Sequence, residues 1–246
     1  SLGCPNPAFF GDETIQRGLR AYDLPPEQCC NYINSTCVEI TPVGCSNVWV
    51  ASPYFSTPGI LVEEIDAQAN CASPAADFTA FLDAYRERLG QRIAQAAAQQ
   101  NELRDGRREC GRKPLQSVFT NDCLERGRDI DDGGAPCNWI ECSFVGLANL
   151  ADSLHVIRQE VYEDGLPWAR LQQVLKNNFI GAEAERERFA SHAKYGNGVA
   201  DVDQLVNDVV TFAAGECARQ TMRPEGARFV PGAFCWIMHE HLGREC

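Results

Sequence analysis

After Pro74, six large apolar residues recur at three- and four-residue steps: Phe78, Phe81, Leu82, Tyr85, Leu89 and Ile93. That period lays them in one stripe along a helix, and an Ala/Gln-rich stretch continues it. On either side the pattern alternates. "DETIQRGLRAY" and "LPPEQCCNYI" read as short helices, followed by a β-branched run around Val38 and Ile40. Beyond the long helix come a charged loop, "NELRDGRRECGRKP", and a further helix, "PLQSVFTNDCLERGRD", ended by the turn-rich "DIDDGGAP". "CNWIECSFV" reads as a strand, and "GLANLADSLHVIRQEVYED" as the helix that follows it. "PWARLQQVLKNNF", "AEAERERFASH" and "DVDQLVNDVVTFAAGECARQ" continue helical, the last opening on an Asp that can cap it. "RFVPGAFCWIMHE" is the last strand candidate. Strands separated by helices predict an α/β architecture.

At 246 residues the chain suits one large domain or two modest ones, and no linker-like segment divides it. The formal charge of −12 argues against nucleic acid as a partner, because phosphates need clustered Lys and Arg. No apolar run approaches the roughly 20 residues that span a bilayer. The 13 cysteines are odd in number and show no compact framework. In a chain able to bury a large core they predict free thiols and a reducing, cytoplasmic setting. The chain opens at Ser1 without an initiator methionine or a leader-like stretch and stops at "HLGREC". Truncation at both ends is the expectation.

Two chemical groupings stand out. Cys37 and Glu39 lie two apart in "YINSTCVEITPVG", and on a strand such residues project from one face. A nearby carboxylate discourages thiolate formation. The pair therefore suits a thiol that works neutral, by hydrogen-atom transfer, although a buried Cys beside an edge-facing Glu is the commoner outcome for this tripeptide alone. Cys235, His239 and His241 form the second grouping, open to a non-enzymatic metal-binding module. No C-x-x-C accompanies them, and a zinc site normally needs two close pairs, so no metal is expected. Asp131-Asp132-Gly133-Gly134 lacks the ligand spacing and closing Glu of a calcium loop.

Several long segments, in this order, resemble the glycyl radical enzymes, the family of pyruvate formate-lyase. "NPAFFGDETI" resembles the segment before that family's catalytic cysteine, and "NSTCVEI" resembles its thiyl-cysteine loop. "TNDCLERGRDIDDGGAPCNWIECSFVGLANLADSLHVIRQEVYED", "NNFIGAEAERERFASHAKYGNGVADVDQLVNDV" and "RFVPGAFCWIMHEHLG" are similar to later family segments. The likeness runs from about residue 6 to residue 243.

The resemblance implies part of a ten-stranded α/β barrel with outer helices, residues 1–246 forming a barrel domain cut at both ends. Neither the family's radical-bearing glycine loop nor its Pro-Asp-Gly-Arg segment occurs in the sequence, so the isolated chain is expected to be inactive. It also implies a glycyl radical, installed by an activating enzyme carrying an iron–sulfur cluster and S-adenosylmethionine, and no cofactor bound by this chain. In the resembled mechanism the radical passes to Cys37, whose thiyl abstracts hydrogen from a small polar substrate. A homodimer is implied for the full-length protein.

Acyltransferase members carry two adjacent cysteines, whereas Val38 stands beside Cys37 here. Formate C-acetyltransferase-like chemistry is therefore the alternative, and Cys-x-Glu resembles the dehydratase, eliminase and decarboxylase branches, in which Glu39 would act as general base. Asn138, Trp139, Asp152 and His239 match family positions but are expected to serve packing.

Overall fold

The computed structural model describes residues 11–34, 39–49, 53–233 and 238–245. In chain order its elements begin with helices α1 (Asp12–Ala21) and α2 (Pro26–Cys29), then strands β1 (Tyr32–Asn34), β2 (Ile40–Pro42), β3 (Ser46–Trp49) and β4 (Tyr54–Ser56). Helices α3 (Thr57–Asn70), α4 (Phe78–Cys110), α5 (Pro114–Val118) and α6 (Cys123–Arg126) follow, with a single tight turn at Ile130–Asp132. Strand β5 (Cys137–Val145) leads into α7 (Leu147–Ile157), α8 (Trp168–Lys176), α9 (Glu183–Ser191) and α10 (Ala200–Arg219). Strand β6 (Arg228–Gly232) and helix α11 (Met238–Glu245) complete the described chain.

These elements form two compact units, each woven from three stretches of sequence. The first holds residues 1–52, 99–141 and 221–229; the second holds 53–98, 142–220 and 230–246. Because the chain enters each unit three times, no single linker marks a boundary.

In the first unit β1 and β2 form an antiparallel hairpin with Ile33 opposite Thr41. Strand β3 runs parallel to the first half of β5, with Ser46 opposite Cys137 and Trp49 opposite Ile140. Asn47 fixes β3 from the side: its Nδ2 donates to Ile130 O and to Asp131 Oδ1, each at 2.9 Å. Lys113 Nζ lies 2.9 Å from Asp131 Oδ2, so the buried carboxylate has a cation as well as a donor. Gly134 turns the chain into β5 where there is no space for a side chain: an added Cβ would stand 2.3 Å from Arg128 O and 2.8 Å from Cys123 Sγ.

In the second unit β4 runs parallel to the end of β5, Phe55 opposite Phe144, and those two rings stack at 4.8 Å. Strand β5 is buried along nearly its whole length, as suits a parallel strand covered on both faces. Helix α3 begins at Ser56, whose Oγ accepts from Gly59 N at 3.1 Å, with Pro58 in the first turn. It packs on α7 and α8, and α10 packs on α7. Phe81, Tyr162 and Trp168 form an aromatic nucleus, with Phe81 and Trp168 centroids 5.0 Å apart. Cys142 Sγ and Cys217 Sγ are 3.8 Å apart, both buried and both free thiols, as the composition predicts.

Four expectations need correction. The predicted charged loop after Asn101 is helical as far as Cys110, because Ala96, Ala97, Gln100 and Arg104 continue the buried stripe of α4 in polar form. The single helix predicted over 114–129 breaks at Asp122, whose φ of +68° is left-handed, so only α5 and α6 form. Asp201 is not the cap of α10: Val199 occupies that position, while Asp203 Oδ1 accepts Gly196 N at 2.9 Å. Among the described residues the last strand candidate is strand at β6, while Met238–Glu245 is helix. The α/β class itself is observed. The described strands make no closed sheet, which fits part of a barrel.

Candidate active site

The chain between β1 and β2 carries Cys37, which lies outside the described residues together with Ser35, Thr36 and Val38. Glu39 is described. It is buried and stands one residue before β2. The hairpin register, Asn34 opposite Ile40, fixes where this carboxylate enters the fold.

A second carboxylate acts on the same ground. Glu141 sits in β5, where Cys137 and Trp139 share its face by two-residue alternation. Cys137 and Trp139 line a cavity of about 530 Å³ together with Tyr22, Leu24, Asn121 and Arg228. Burial, and then the negative charge of Glu39, push the Glu141 carboxyl up to about 7. The sequence reading missed this residue. Its signal was a lone ionisable side chain inside an apolar strand run.

The cavity wall is held from several sides. The rings of Tyr22 and Trp139 meet at 5.3 Å, and Arg228 caps Tyr22 at 5.8 Å while pairing with Asp23 at 2.8 Å. Arg104, buried behind β5, donates to Trp139 O at 3.2 Å; burial lowers its pKa to about 10 against the favourable charge of Asp131. Cys137 hydrogen bonds with Cys45 through their thiols, and that bond, with burial, holds the Cys137 thiol far above its ordinary range.

The other positions singled out in the sequence are structural where they are described. Asn138 Nδ2 donates to Ala135 O at 2.7 Å, and Asp152 Oδ1 accepts Tyr195 N at 2.8 Å, holding the "YGNG" turn. Cys235 lies outside the described residues, as do the side chains of His239 and His241. No cluster of three or more His, Cys, Asp or Glu suited to a metal occurs among the described residues. No described helix is long and apolar enough to cross a membrane. In the second unit Glu160 is fully buried beneath Arg188 and His192, at 2.6 and 2.7 Å. This is an ion-pair cluster on a wide helical turn, Arg158–Glu163, that continues α7.

The sequence pattern described as pyruvate formate lyase-like matches residues 1–243. The chain belongs to the pyruvate formate lyase-like family. Among its relatives in this glycyl radical family, (2S)-3-sulfopropanediol dehydratase of Klebsiella oxytoca is 26% identical over 254 residues, covering 94% of this chain and 30% of the relative. Trans-4-hydroxy-L-proline dehydratase of Clostridioides difficile is 25% identical over 224 residues, covering 84% of this chain and 28% of the relative. The glycerol-bound structure of B12-independent glycerol dehydratase from Clostridium butyricum superposes with a TM-score of 0.83 at 26% identity, covering 92% of this chain and 30% of that one. This pyruvate formate lyase-like chain thus spans about 30% of the length of such relatives. The family expected from "NSTCVEI" and the segments around it is the family found.

Proposed function

We propose that this chain carries the catalytic loop of a glycyl radical lyase of the dehydratase type, with Cys37 as the thiyl and Glu39 as general base. The observation that carries the reading is the Cys-Val-Glu sequence of the loop, within a family match that covers residues 1–243 and whose similar members are dehydratases. Burial of Glu39 supports it, because a base needs hydrogen-bond reach to its substrate in a water-poor site.

The thiyl of Cys37 takes a hydrogen atom from a carbon bearing a hydroxyl, forming S–H and a carbon radical. Glu39 accepts the proton of that hydroxyl while the neighbouring C–O bond breaks, and returns it to the departing hydroxide, which leaves as water. The resulting carbonyl-containing radical retrieves hydrogen from the Cys37 thiol. The balance is loss of one water, with the thiyl regenerated. The substrate class is a small polar molecule with adjacent oxygen-bearing carbons. The radical is generated on a glycine of the full-length protein by an S-adenosylmethionine and iron–sulfur activating enzyme, in a homodimer of the reducing cytoplasm. Val38, standing where acyltransferases carry a second cysteine, disfavours formate C-acetyltransferase chemistry.

The test is turnover of small diols by the activated full-length protein and its Glu39→Gln variant. The variant is expected to accept the radical yet lose roughly 10²–10⁴-fold in kcat. Unchanged kcat in Glu39→Gln removes Glu39 from the chemistry.

A further inference from the structure

Strand β5 and helix α10 each bring a thiol to one point in the second unit. Cys142 Sγ and Cys217 Sγ stand 3.8 Å apart, and 75 residues of sequence separate them. Both side chains are buried, and Cys142 also donates to Val230 O at 3.5 Å. A disulfide holds its sulfurs about 2.05 Å apart. Closing the observed gap asks for a shift of roughly 2 Å, which side-chain rotation and a small movement of a helix end can share.

The fold holds the two members unequally. Cys142 lies inside the nine-residue strand β5, whereas Cys217 lies in the last turn of α10, which ends at Arg219. Ala218 and Arg219 beside it are exposed. Helix ends fray, and such local opening costs far less than unfolding the domain. Gly215 loosens the same end, and an added Cβ there meets no atom within 4 Å. Fraying of this turn brings the Cys217 sulfur to solvent while β5 stays in place.

We propose that Cys142 and Cys217 are a redox modification site: hydrogen peroxide converts them to a disulfide that pins the last turn of α10 to β5, and a dithiol reductant restores the thiols. Uncovered by fraying, Cys217 loses its proton and its thiolate attacks one peroxide oxygen. The O–O bond breaks, Cys217 becomes a sulfenic acid, and the other oxygen leaves as water. When the turn closes, the Cys142 sulfur displaces the sulfenic hydroxyl, which takes up the Cys142 proton and leaves as the second water. One S–S bond replaces two S–H bonds, and two electrons pass from the sulfurs to the peroxide. The product is neutral, which suits the interior better than the pair of thiolates that a metal would demand.

The test treats the reduced full-length protein with hydrogen peroxide, blocks the remaining thiols after denaturation, and digests with a glutamyl endopeptidase. Cleavage at Glu141, Glu160, Glu216 and Glu225 leaves each cysteine alone in its peptide, residues 142–160 and 217–225. The two peptides are expected to be joined, lighter by two hydrogen atoms than their sum, and to separate with dithiothreitol. Amide exchange in the last turn of α10 is expected to slow on oxidation and to recover on reduction. Gly215→Ala, which stiffens that turn, is expected to slow formation of the link by about two- to fivefold. Recovery of both peptides blocked as thiols, under conditions that oxidise the exposed Cys30, Cys71 and Cys110, overturns the inference. A link from either cysteine to any other overturns it as well, and an unchanged rate in Gly215→Ala overturns the route through the frayed turn.

Discussion

Asn47 Nδ2 donates to Asp131 Oδ1 at 2.9 Å, tying a strand to a turn 84 residues further along the chain. The same nitrogen donates to Ile130 O, and Lys113 meets the other oxygen of the carboxylate. This buried polar knot fixes β3 against the turn that feeds β5, the strand of Trp139 and Glu141. Asn47→Leu leaves a buried carboxylate short of a donor and is expected to destabilise the protein by about 2 kcal/mol in urea denaturation. A loss within the scatter of an exposed change such as Arg92→Ala would show that the knot is dispensable.

Close approach at Gly134 gives a second prediction. A methyl group there meets the Arg128 carbonyl, so Gly134→Ala is expected to cost about 3 kcal/mol or to prevent folding. Gly18, exposed in α1 with no atom within 4 Å of an added Cβ, is the matched control. Gly18→Ala is expected to raise stability by about 0.5–1 kcal/mol through helix propensity. Thermal melts of the two variants check both signs.

Much of this fold could be read in advance, and the failures have physical causes. Strand β5 was legible to the residue because its aromatic and aliphatic residues recur between the turn-rich "DIDDGGAP" and the next helix, as suits a covered parallel strand. Helix α3 was overlooked although Ser56 and Pro58 form a recognisable start, because its buried positions include Thr57, Pro58 and Glu64 and blur the apolar stripe. The break at Asp122 depends on a single left-handed residue, which periodicity does not register. At the candidate site, Cys37 and Glu39 are singled out only through resemblance to a family, and Cys37 lies outside the described residues. Glu141 was overlooked although it is the one ionisable acid in the β5 run, because the influence of Glu39 on it arises only in the folded chain.

Glu160 supplies a pH signature. Burial alone would raise its carboxyl pKa, but hydrogen bonds from His192 and Arg188 outweigh burial, and the net shift is downward. A carboxylate depressed in the folded state contributes stability above its unfolded pKa, about 4.3, and loses that contribution as pH falls through the folded value. Glu160→Gln is therefore expected to cost about 2 kcal/mol at pH 7, less than a fully enclosed pair because Arg188 is half exposed. Below pH ~4 the difference from wild type should shrink toward zero. A pH-independent difference would mean that shape, not charge, is what Glu160 supplies.

The thiyl role of Cys37 is tested most directly by separating radical storage from radical use. Activate the full-length protein and its Cys37→Ala and Cys37→Ser variants, record the glycyl radical by electron paramagnetic resonance, then add a small diol substrate and quantify the carbonyl product. All three proteins are expected to show the glycyl radical signal, and only wild type to form product. Product formation by either Cys37 variant would contradict the assignment of Cys37 as the hydrogen-abstracting thiyl.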